Sequence, residues 1–430
     1  MKRVLTILFF ILLVPFSSLF PQTPWVELNT GISKRLNSIS SIKDVSVWAC
    51  GVEGTVIKST NMGDNWSNAN PNNDIPTSVS LNHIYVINPL TALAAGNDNT
   101  YTYVFKTVDG GSTWQATLVQ PGGRFNGIHM PLENSMIIVG DPVGGRWSIW
   151  KSVTGVIWDS SGCYLPQAGS EKGFPNSLWA TGSRISFGTD NFRIYTTTNF
   201  SATWYNNSTG AEKNSSTLWF DYDYNIGYSG KSQLIKTVNS GQLWLNDTVP
   251  GSGDIVSVTG SAHSRFNWFV RNDNKVYVNP HNAANWQLDY TTPSGNYTYI
   301  TIERNGYFSG AVFATKDNGG ISRTYFLSLG ISQILTVIPN GYGLSQNYPN
   351  PFNPETKIRF NIPADNKGNR NISLNVYDIG GRLVKQLADE KLSAGVYEVD
   401  FNAAELPSGV YFYRLSNGVF SETRKMILLK

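Results

Sequence analysis

Stretches in which apolar and polar residues alternate recur from about residue 25 to residue 329. Alternation with a period of two is typical of β-strands that bury one face, and a glycine between two such stretches is typical of a hairpin turn. In the first unit the stretches are Leu36–Ile42, Val45–Cys50 and Thr55–Lys58, with Gly51 and Gly54 between the last two. The pattern predicts an all-β domain built from repeated antiparallel units.

A short box with the pattern Ser/Thr-x-Asp/Asn-x-Gly-x-Thr-Trp follows the third stretch of each unit. Its copies are Ser59–Trp66, Thr107–Trp114, the shorter Ser152–Trp158, Thr197–Trp204, Thr237–Trp244, Asn279–Trp286 and Thr315–Ser322, which has no tryptophan. Successive box tryptophans lie 40 to 48 residues apart, a period that suits a four-stranded propeller blade. Seven boxes predict a seven-bladed β-propeller over residues 24–330.

The residue types of the box suit a tight turn between two strands. The third residue can bond the backbone two residues on, the glycine at the fifth place tolerates a positive φ angle, and the closing indole can be buried against a neighbouring blade. The third-place residues are Asn61, Asp109, Asn199, Asn239 and Asp317, and the closing residues are Trp66, Trp114, Trp204, Trp244 and Trp286. We expect all of them to be structural and the five tryptophans to be largely buried.

The boxes resemble the Asp-box, or bacterial neuraminidase, repeat of sialidases, some glucanases, sortilin-type receptors and Ycf48-type photosystem II assembly factors. Thr107–Trp114 is the most typical copy, whereas Ala283 replaces the glycine of the sixth box. In those families the box faces away from the ligand. The resemblance therefore implies a binding site on the side of the propeller opposite the boxes.

The N-terminal segment predicts how the ring closes. Trp25–Leu28 looks like the residues that follow a box tryptophan, such as Trp114–Leu118, and the seventh box lacks that piece. We expect this segment to complete the last blade, which would remove two exposed sheet edges. The alternative is that Arg323–Leu329 supplies the outer strand itself.

Met1–Thr23 has the features of a secretory signal peptide. Lys2 and Arg3 precede the apolar run Val4–Val14, and Pro- and Ser-containing residues follow it. The run is too short for a transmembrane helix, and we expect no membrane-spanning segment in the chain.

Composition and charge argue against several classes of function. Only 15% of the residues are charged and the net charge is +3, so nothing indicates a nucleic-acid partner. Cys50 and Cys163 fall in units that would not be neighbours around a ring, and the chain has four histidines. We therefore expect no disulfide, no metal site and no cofactor, and we expect a monomer.

The pattern changes after residue 330, where residues 331–343 read as a linker. Strictly alternating strands follow, with apolar positions that share a face at Ile358, Phe360 and Ile362. Gly380-Gly381 marks a turn between strands. The pattern predicts a small immunoglobulin-like β-sandwich over residues 344–430.

Several motifs of this tail resemble the C-terminal sorting domain, type A, of the type IX secretion system of Bacteroidetes and Ignavibacteria. They are Gln346–Pro354, Val376–Val384, Leu406–Tyr411 and Lys425–Lys430. The resemblance implies a partner, the secretion machinery, that recognises residues 344–430. It also implies export across the outer membrane, so that the protein is secreted or lies on the cell surface. A carbohydrate-binding sandwich is the alternative.

The candidate ligand site is the mouth of the central channel opposite the boxes, where loops carry polar residues. The most distinctive loop is Gly140–Trp147, in which Asp141 and Arg146 could present a carboxylate and a guanidinium, with help from Arg124. The alternative is an Asp-Pro turn and a glycine hairpin with an exposed ion pair.

Two classes of function remain open. A sialidase needs an arginine triad and an Arg-Ile-Pro-type motif, which Thr30–Ser41 lacks. Glycoside hydrolases need two facing carboxylates, and the candidates Asp141, Asp190 and Asp273 lie in three different units. We assign no catalytic residue and expect a binding or scaffolding module for a glycan or protein. The alternative is a secreted glycoside hydrolase.

Overall fold

The computed structural model describes residues 23–430 except 43–44, 211–213, 222–223, 262–265, 281–284, 304–308, 328–330, 336–338, 365–369, 393 and 404–405. Apart from Thr23, the predicted signal peptide lies outside the described residues. No α-helix occurs among them, and hence none of the length and apolarity needed to cross a membrane.

Strand β1 (Val26–Leu28) precedes seven sheets that follow one another along the chain. The first three contain β2 (Leu36–Ile42), β3 (Ser46–Gly51), β4 (Val56–Ser59) and β5 (Ser67–Asn68); β6 (Ser80–Asn88), β7 (Thr91–Asn97), β8 (Tyr101–Thr107) and β9 (Gln115–Pro121); and β10 (Phe125–Leu132), β11 (Ser135–Val143) and β12 (Arg146–Ser152).

The fourth to seventh sheets have the same order. They contain β13 (Gly173–Thr181), β14 (Arg184–Thr189), β15 (Arg193–Thr197) and β16 (Tyr205–Ser208); β17 (Thr217–Phe220), β18 (Gly227–Gly230), β19 (Leu234–Thr237) and β20 (Leu245–Asp247); β21 (Ile255–Gly260), β22 (Asn267–Arg271), β23 (Lys275–Asn279) and β24 (Gln287–Thr291); and β25 (Tyr297–Ile302), β26 (Ser309–Lys316) and β27 (Ile321–Leu327). In each sheet the strands pair antiparallel in chain order. These are the seven blades of the predicted propeller.

The hydrophobic core lies between neighbouring blades. Strand β3 is buried along its whole length, whereas the outer strand β9 is mostly exposed. One core cluster joins Trp48 and Val56 of blade 1 to Leu81, Phe105 and Trp114 of blade 2. Inner and middle strands are therefore covered on both faces by adjacent blades, and outer strands are covered on one face at most.

The N-terminal strand closes the ring as predicted. Strand β1 pairs antiparallel with β27, with Val26 opposite Arg323 and Leu28 opposite Ile321. The alternative closure is wrong, because residues 321–327 form the third strand of blade 7 and not the fourth. Glu27 also forms an ion pair with Lys316, whose side chain is 2% exposed, and accepts a hydrogen bond from Ser322 Oγ at 2.8 Å.

Blade 3 departs from the four-stranded pattern, since its sheet contains only β10, β11 and β12. The chain that follows contacts β12 through two isolated bridges, between Lys151 and Asp159 and between Arg146 and Pro166. The box of this unit is one residue shorter than the others, and Gly162 between the two bridges has a φ of 66°. A continuous fourth strand therefore does not form.

The tail is a sandwich of two four-stranded sheets. Its strands are β28 (Ile331–Leu335), β29 (Gly343–Leu344), β30 (Glu355–Ile362), β31 (Arg370–Tyr377), β32 (Leu383–Leu392), β33 (Gly395–Asn402), β34 (Gly409–Ser416) and β35 (Ser421–Leu428). The orders are β28-β33-β30-β29 and β32-β31-β34-β35. Ile358, Phe360 and Ile362 share one buried core with residues of the second sheet, such as Leu374 and Tyr413.

The predicted linker is wrong in its first five residues. Ile331–Leu335 pairs with β33, with Ile331 opposite Val399, and so belongs to the sandwich. The segment Ile-Ser-Gln-Ile-Leu-Thr-Val-Ile is rich in β-branched residues, which favour an extended strand. Residues 336–338 lie outside the described residues.

The Gln346–Pro354 motif covers the outer edge of the last strand. Ile427 N donates to Asn350 Oδ1 at 2.9 Å, Phe352 N donates to Ile427 O at 3.0 Å, and Leu429 N donates to Phe352 O at 2.9 Å. Backbone groups that would form an open sheet edge are thereby satisfied.

Candidate functional site

The box turns are held by hydrogen bonds within each box. In the second box, Thr107 Oγ1 donates to Asp109 Oδ1 at 2.8 Å and accepts from Gly111 N at 3.0 Å. Thr113 donates its N–H to Asp109 Oδ1 at 3.0 Å and its hydroxyl to Oδ2 at 2.6 Å. These bonds, led by the Thr113 hydroxyl, lower the pKa of Asp109 to about 2. Asn61, Asn199 and Asn239 accept the equivalent backbone bonds.

The seventh box differs from the others. Asp317 accepts hydrogen bonds from the backbone N–H of Asn296 at 2.8 Å and from its side-chain amide at 3.0 Å, and thus joins its turn to the residue before β25. Trp25, from the N-terminal segment, occupies the place of the missing box tryptophan. Its Nε1 donates to Asp289 Oδ2, on the outer strand of blade 6, at 2.8 Å.

Trp114 and Trp286 bond to the preceding blade in a similar way, whereas Nε1 of Trp66, Trp204 and Trp244 has no hydrogen-bond partner among the described residues. Trp114 Nε1 donates to Ala69 O at 2.6 Å, and Trp286 Nε1 donates to Asp247 Oδ2 at 2.9 Å. Trp114, Trp244 and Trp286 are buried, whereas Trp66 and Trp204 are half-buried. Trp204 packs against the core cluster of blades 3 and 4 that includes Cys163 and Leu165.

The predicted ligand residues do not form one site. Asp141 is 9% exposed, and its Oδ1 accepts from Asn126 Nδ2 at 2.9 Å and from Gly173 N at 3.0 Å. Arg124 Nη2 lies 3.5 Å from Asp141 Oδ2 and also donates to Gly173 O at 3.1 Å. Asp141 and Arg124 thus join blade 3 to the start of blade 4. Arg146 is exposed and lines a separate cavity at the blade 2–blade 3 boundary.

The candidate catalytic carboxylates are not brought face to face in the channel. Asp190 Oδ1 accepts from Lys172 N at 2.7 Å, and Asp273 Oδ1 accepts from Lys275 N at 2.9 Å, so each holds a local backbone contact. Neither residue, nor Asp141, lines either of the two channel cavities found among the described residues.

The channel has one cavity of about 410 Å³ at the mouth opposite the boxes. We call it the mouth cavity, and its lining includes Arg35, Asn37, Asn82, Phe174, Lys231 and Asp254. Except for Lys231, which follows β18 in blade 5, these residues lie at or just before the first strands of four blades. Lys231 Nζ lies 3.7 Å from Asp254 Oδ2 and 5.2 Å from the centroid of the Phe174 ring. Lys231 and Asp254 are partly exposed, so the pair remains available to a ligand.

A second cavity, of about 260 Å³, is lined by the later residues of the first strands of all seven blades. We call it the lower cavity. Neighbouring strands run antiparallel, so the first strand of each blade ends at the same end of the ring as the third strand, which leads into the box. Asn176 lines both cavities and has a φ of 65°, within a bulge of β13. Its Nδ2 donates across the channel to Asn37 O at 3.3 Å, so Asn176 lies between the two cavities.

A buried carboxylate that the sequence did not indicate joins blades 3 and 4. Glu171 Oε1 accepts from Tyr195 OH at 2.6 Å, from Ala168 N at 3.0 Å and from Trp147 Nε1 at 3.3 Å, and Oε2 lies 3.6 Å from Arg193 Nε. Burial and the Glu171 carboxylate raise the pKa of Tyr195 to about 12. With its oxygens enclosed by these groups, Glu171 is a packing residue. No signal in the sequence distinguishes it from other loop carboxylates.

The cysteines and histidines give no indication of redox or metal chemistry. Cys50 and Cys163 are both free and buried, and burial raises the pKa of the Cys50 thiol far above its ordinary value. In the part of the chain that the structure describes, no group of three or more His, Cys, Asp or Glu side chains is placed to hold a metal ion.

The tail can be assigned from its sequence and fold together. Residues 346–429 match the family described as the secretion system C-terminal sorting domain. The tail is a type IX sorting domain. Such a sorting domain indicates export, so the protein is secreted or lies on the cell surface, and the secretion machinery is a partner of the sorting domain.

The propeller upstream of the sorting domain is similar in fold to solved YCF48 structures. The structure titled "YCF48 bound to D1 peptide" is 14% identical, has a TM-score of 0.57, and covers 71% of this chain and 97% of its own. YCF48 from Cyanidioschyzon merolae is 15% identical, has a TM-score of 0.53, and covers 70% and 98%. At these identities the likeness shows the propeller fold. No curated protein matches the chain.

Proposed function

We propose that the propeller is a non-catalytic binding module, which the sorting domain delivers to the cell exterior, and that it takes its ligand in the mouth cavity. The observation that carries the proposal is the convergence of polar and aromatic side chains from several blades on one cavity of about 410 Å³. That volume lies within the ~300–1,000 Å³ typical of small-ligand sites.

The chemistry of the mouth cavity supports binding over hydrolysis. A glycoside hydrolase needs two carboxylates on opposite sides of the scissile bond. Asp254 is the only carboxylate among the described lining residues, and it faces Lys231. The carboxylates that the sequence offered are held in backbone contacts elsewhere.

A protein segment is the ligand class that the lining favours. Arg35 and Lys231 offer charged donors for a carboxylate or for backbone carbonyls, and Asn37 and Asn82 offer amides that can both donate and accept. Phe174 adds an apolar face. A propeller of this fold has been solved as YCF48 bound to D1 peptide, which supports a peptide ligand here. A glycan with a carboxylate is the second class that these groups suit.

The test is a binding screen of the purified full-length chain against a peptide array and a glycan panel, with product analysis of each glycan. We expect binding without turnover. Lys231→Glu should weaken the ligand at least tenfold, because it replaces a donor of the mouth cavity by a second carboxylate. Arg146→Glu makes the same charge change in a different cavity and should leave the affinity unchanged.

Two results would overturn the proposal. Release of shortened glycans, lost on Asp254→Asn, would establish hydrolysis. Equal loss of affinity in Lys231→Glu and Arg146→Glu would show that net charge, and not the mouth cavity, determines binding.

A further inference from the structure

The lower cavity differs in chemistry from the mouth cavity. We propose that the lower cavity is a second binding site, which takes an uncharged, hydroxyl-rich ligand of the size of a single sugar ring. Its volume of about 260 Å³ lies just below the ~300–1,000 Å³ of drug-sized sites. Asn176 separates it from the mouth cavity, so this site stands independently of the function proposed above.

Some buried polar atoms of the lining, Ser41 Oγ and His83 Nδ1 among them, lack a hydrogen-bond partner among the described residues. Ser41 is 2% exposed and His83 is 9% exposed. More than nine in ten buried polar groups are hydrogen-bonded in native proteins, and an unsatisfied one destabilises the fold. Both residues line the lower cavity, so a ligand there can supply the missing bonds.

A hydroxyl group is the ligand group that suits both atoms. Burial lowers the pKa of His83 to about 4, so its imidazole is neutral at physiological pH. A neutral imidazole nitrogen is a donor in one tautomer and an acceptor in the other, and a serine hydroxyl can also play either part. A ligand hydroxyl can both donate and accept, and therefore matches each of these atoms whichever way its proton points.

Aromatic side chains form much of the remaining wall. Trp179, Trp219, Tyr85 and Tyr299 come from four different blades and line the cavity. Trp179 and Tyr299 are partly exposed, so their apolar surface is free to pack against a ligand. A sugar ring offers both an apolar face of C–H groups and a rim of hydroxyls, which is the combination that this wall requires.

The charges of the lining exclude an anionic ligand. The described residues of the cavity include one carboxylate, Glu303, and no lysine or arginine. Glu303 Oε2 accepts a hydrogen bond from Ala311 N at 3.1 Å. A second negative charge in this confined space would be repelled and desolvated without a cation to pair with. The ligand is therefore not an anion, unlike the carboxylate-bearing ligands expected in the mouth cavity.

The experiment is a ligand-observed NMR and calorimetric titration of the full-length chain with glucose, galactose and N-acetylglucosamine. Glucuronate serves as the anionic counterpart and choline as the cationic one. We expect at least one neutral sugar to bind, and we expect any binding of glucuronate to occur in the mouth cavity, so that Lys231→Ala weakens it and Ser41→Ala does not. Ser41→Ala should weaken binding about threefold to tenfold, since one neutral hydrogen bond is lost, and Ser41→Ala with His83→Leu should abolish it.

Lys231→Ala, in the mouth cavity, is the matched control and should leave sugar affinity unchanged. Melting temperatures of all variants show whether they fold, and if His83→Leu does not fold, Ser41→Ala alone carries the test. The proposal fails if no neutral sugar binds, if Ser41→Ala weakens choline or glucuronate as strongly as the neutral sugar, or if Ser41→Ala has no effect on the neutral sugar. A loss in Lys231→Ala equal to that in Ser41→Ala would place the sugar in the mouth cavity instead.

Discussion

At the scale of single residues, the turns depend on the oxygen atom at the third box position and not on its charge. Asp109 uses both carboxylate oxygens to hold Thr113. In the fourth box, Asn199 accepts from Thr203 N at 2.9 Å through Oδ1 and donates to Thr203 Oγ1 at 2.8 Å through Nδ2. The threonine hydroxyl is donor in one box and acceptor in the other, so either residue type closes the turn.

Asp109 can lose its charge and asparagine cannot, so the stability that the second box contributes depends on pH. We expect Asp109→Asn to leave the melting temperature at pH 7 nearly unchanged, and Asp109→Ala to lower the free energy of unfolding by about 1–2 kcal/mol through lost hydrogen bonds. The folded-state pKa of Asp109, about 2, lies below its ordinary value. Its charged form therefore stabilises the fold above about pH 4, and this contribution is lost as the pH falls towards 2. Thermal melts from pH 7 to 2 should fall less steeply for Asp109→Asn than for wild type, and parallel curves would contradict this account.

The box tryptophans should differ in their contribution to stability. Trp114→Ala removes a buried indole that is bonded to blade 1, and we expect a loss of roughly 3–5 kcal/mol in the free energy of unfolding. Trp204→Ala should cost clearly less, because Trp204 is half-buried beside a blade without a fourth strand. Urea unfolding followed by circular dichroism compares the two, and an equal loss would show that the missing strand has no influence on the packing of Trp204.

At the scale of strands, β1 joins the ring through a polar contact as well as through its backbone. Lys316 is almost fully buried, and its ammonium group contacts Glu27 and the hydroxyl of Thr292, with an Nζ–Oγ1 distance of 2.9 Å. A buried cation that loses its carboxylate is left with an uncompensated charge. The attachment of β1 therefore depends strongly on the carboxylate of Glu27.

We expect Glu27→Ala to lower the free energy of unfolding by about 3 kcal/mol. The matched control is Glu53→Ala, which removes an ion pair with Lys34 at 2.8 Å whose two side chains are 46% and 57% exposed. Exposed pairs contribute at most about 1 kcal/mol. Chemical denaturation of the two variants should separate them clearly, and similar losses would mean that Lys316 finds another partner when Glu27 is removed.

At the scale of the whole molecule, we expect that the sorting domain can be deleted without unfolding the propeller. The deletion must begin at residue 331, because Ile331–Leu335 is a strand of the sorting domain. We expect a chain without residues 331–430 to keep a folded propeller but to accumulate in the periplasm of a bacterium with a type IX secretion system. Cell fractionation against the full-length chain measures this, and undiminished surface or secreted protein would contradict it.

The repeat, the ring closure and the sandwich could be predicted from the sequence, because each leaves a local or periodic signature. Trp25–Leu28 has the pattern of the piece that the seventh box lacks, and Ile358, Phe360 and Ile362 show the alternation of a buried strand face. The one sequence signature of the missing fourth strand of blade 3 is a box that is one residue shorter than the others.

The two cavities could not be predicted in the same way. Lys231 and Phe174 lie 57 residues apart and meet only because the blades are arranged in a ring. The positive φ of Asn176 and its contact with Asn37 depend on a bulge that the pattern of residues does not encode. Asp141 does lie on the mouth side of blade 3, but its burial under Arg124 is a tertiary property.

Because β1 pairs with β27, blade 7 is built from both ends of the propeller segment. The ring itself therefore does not require the chain to begin at β1. Thr23 N donates to Tyr325 O at 2.9 Å, so the start of the ring's first strand lies beside its last strand. A short hairpin loop could join the end of β27 to Thr23, and new termini could open before Leu36. Such a circular permutant would give all four strands of blade 7 in one uninterrupted stretch. The pairing of β1 with β27 is therefore one of several places at which the chain of the same ring can begin and end.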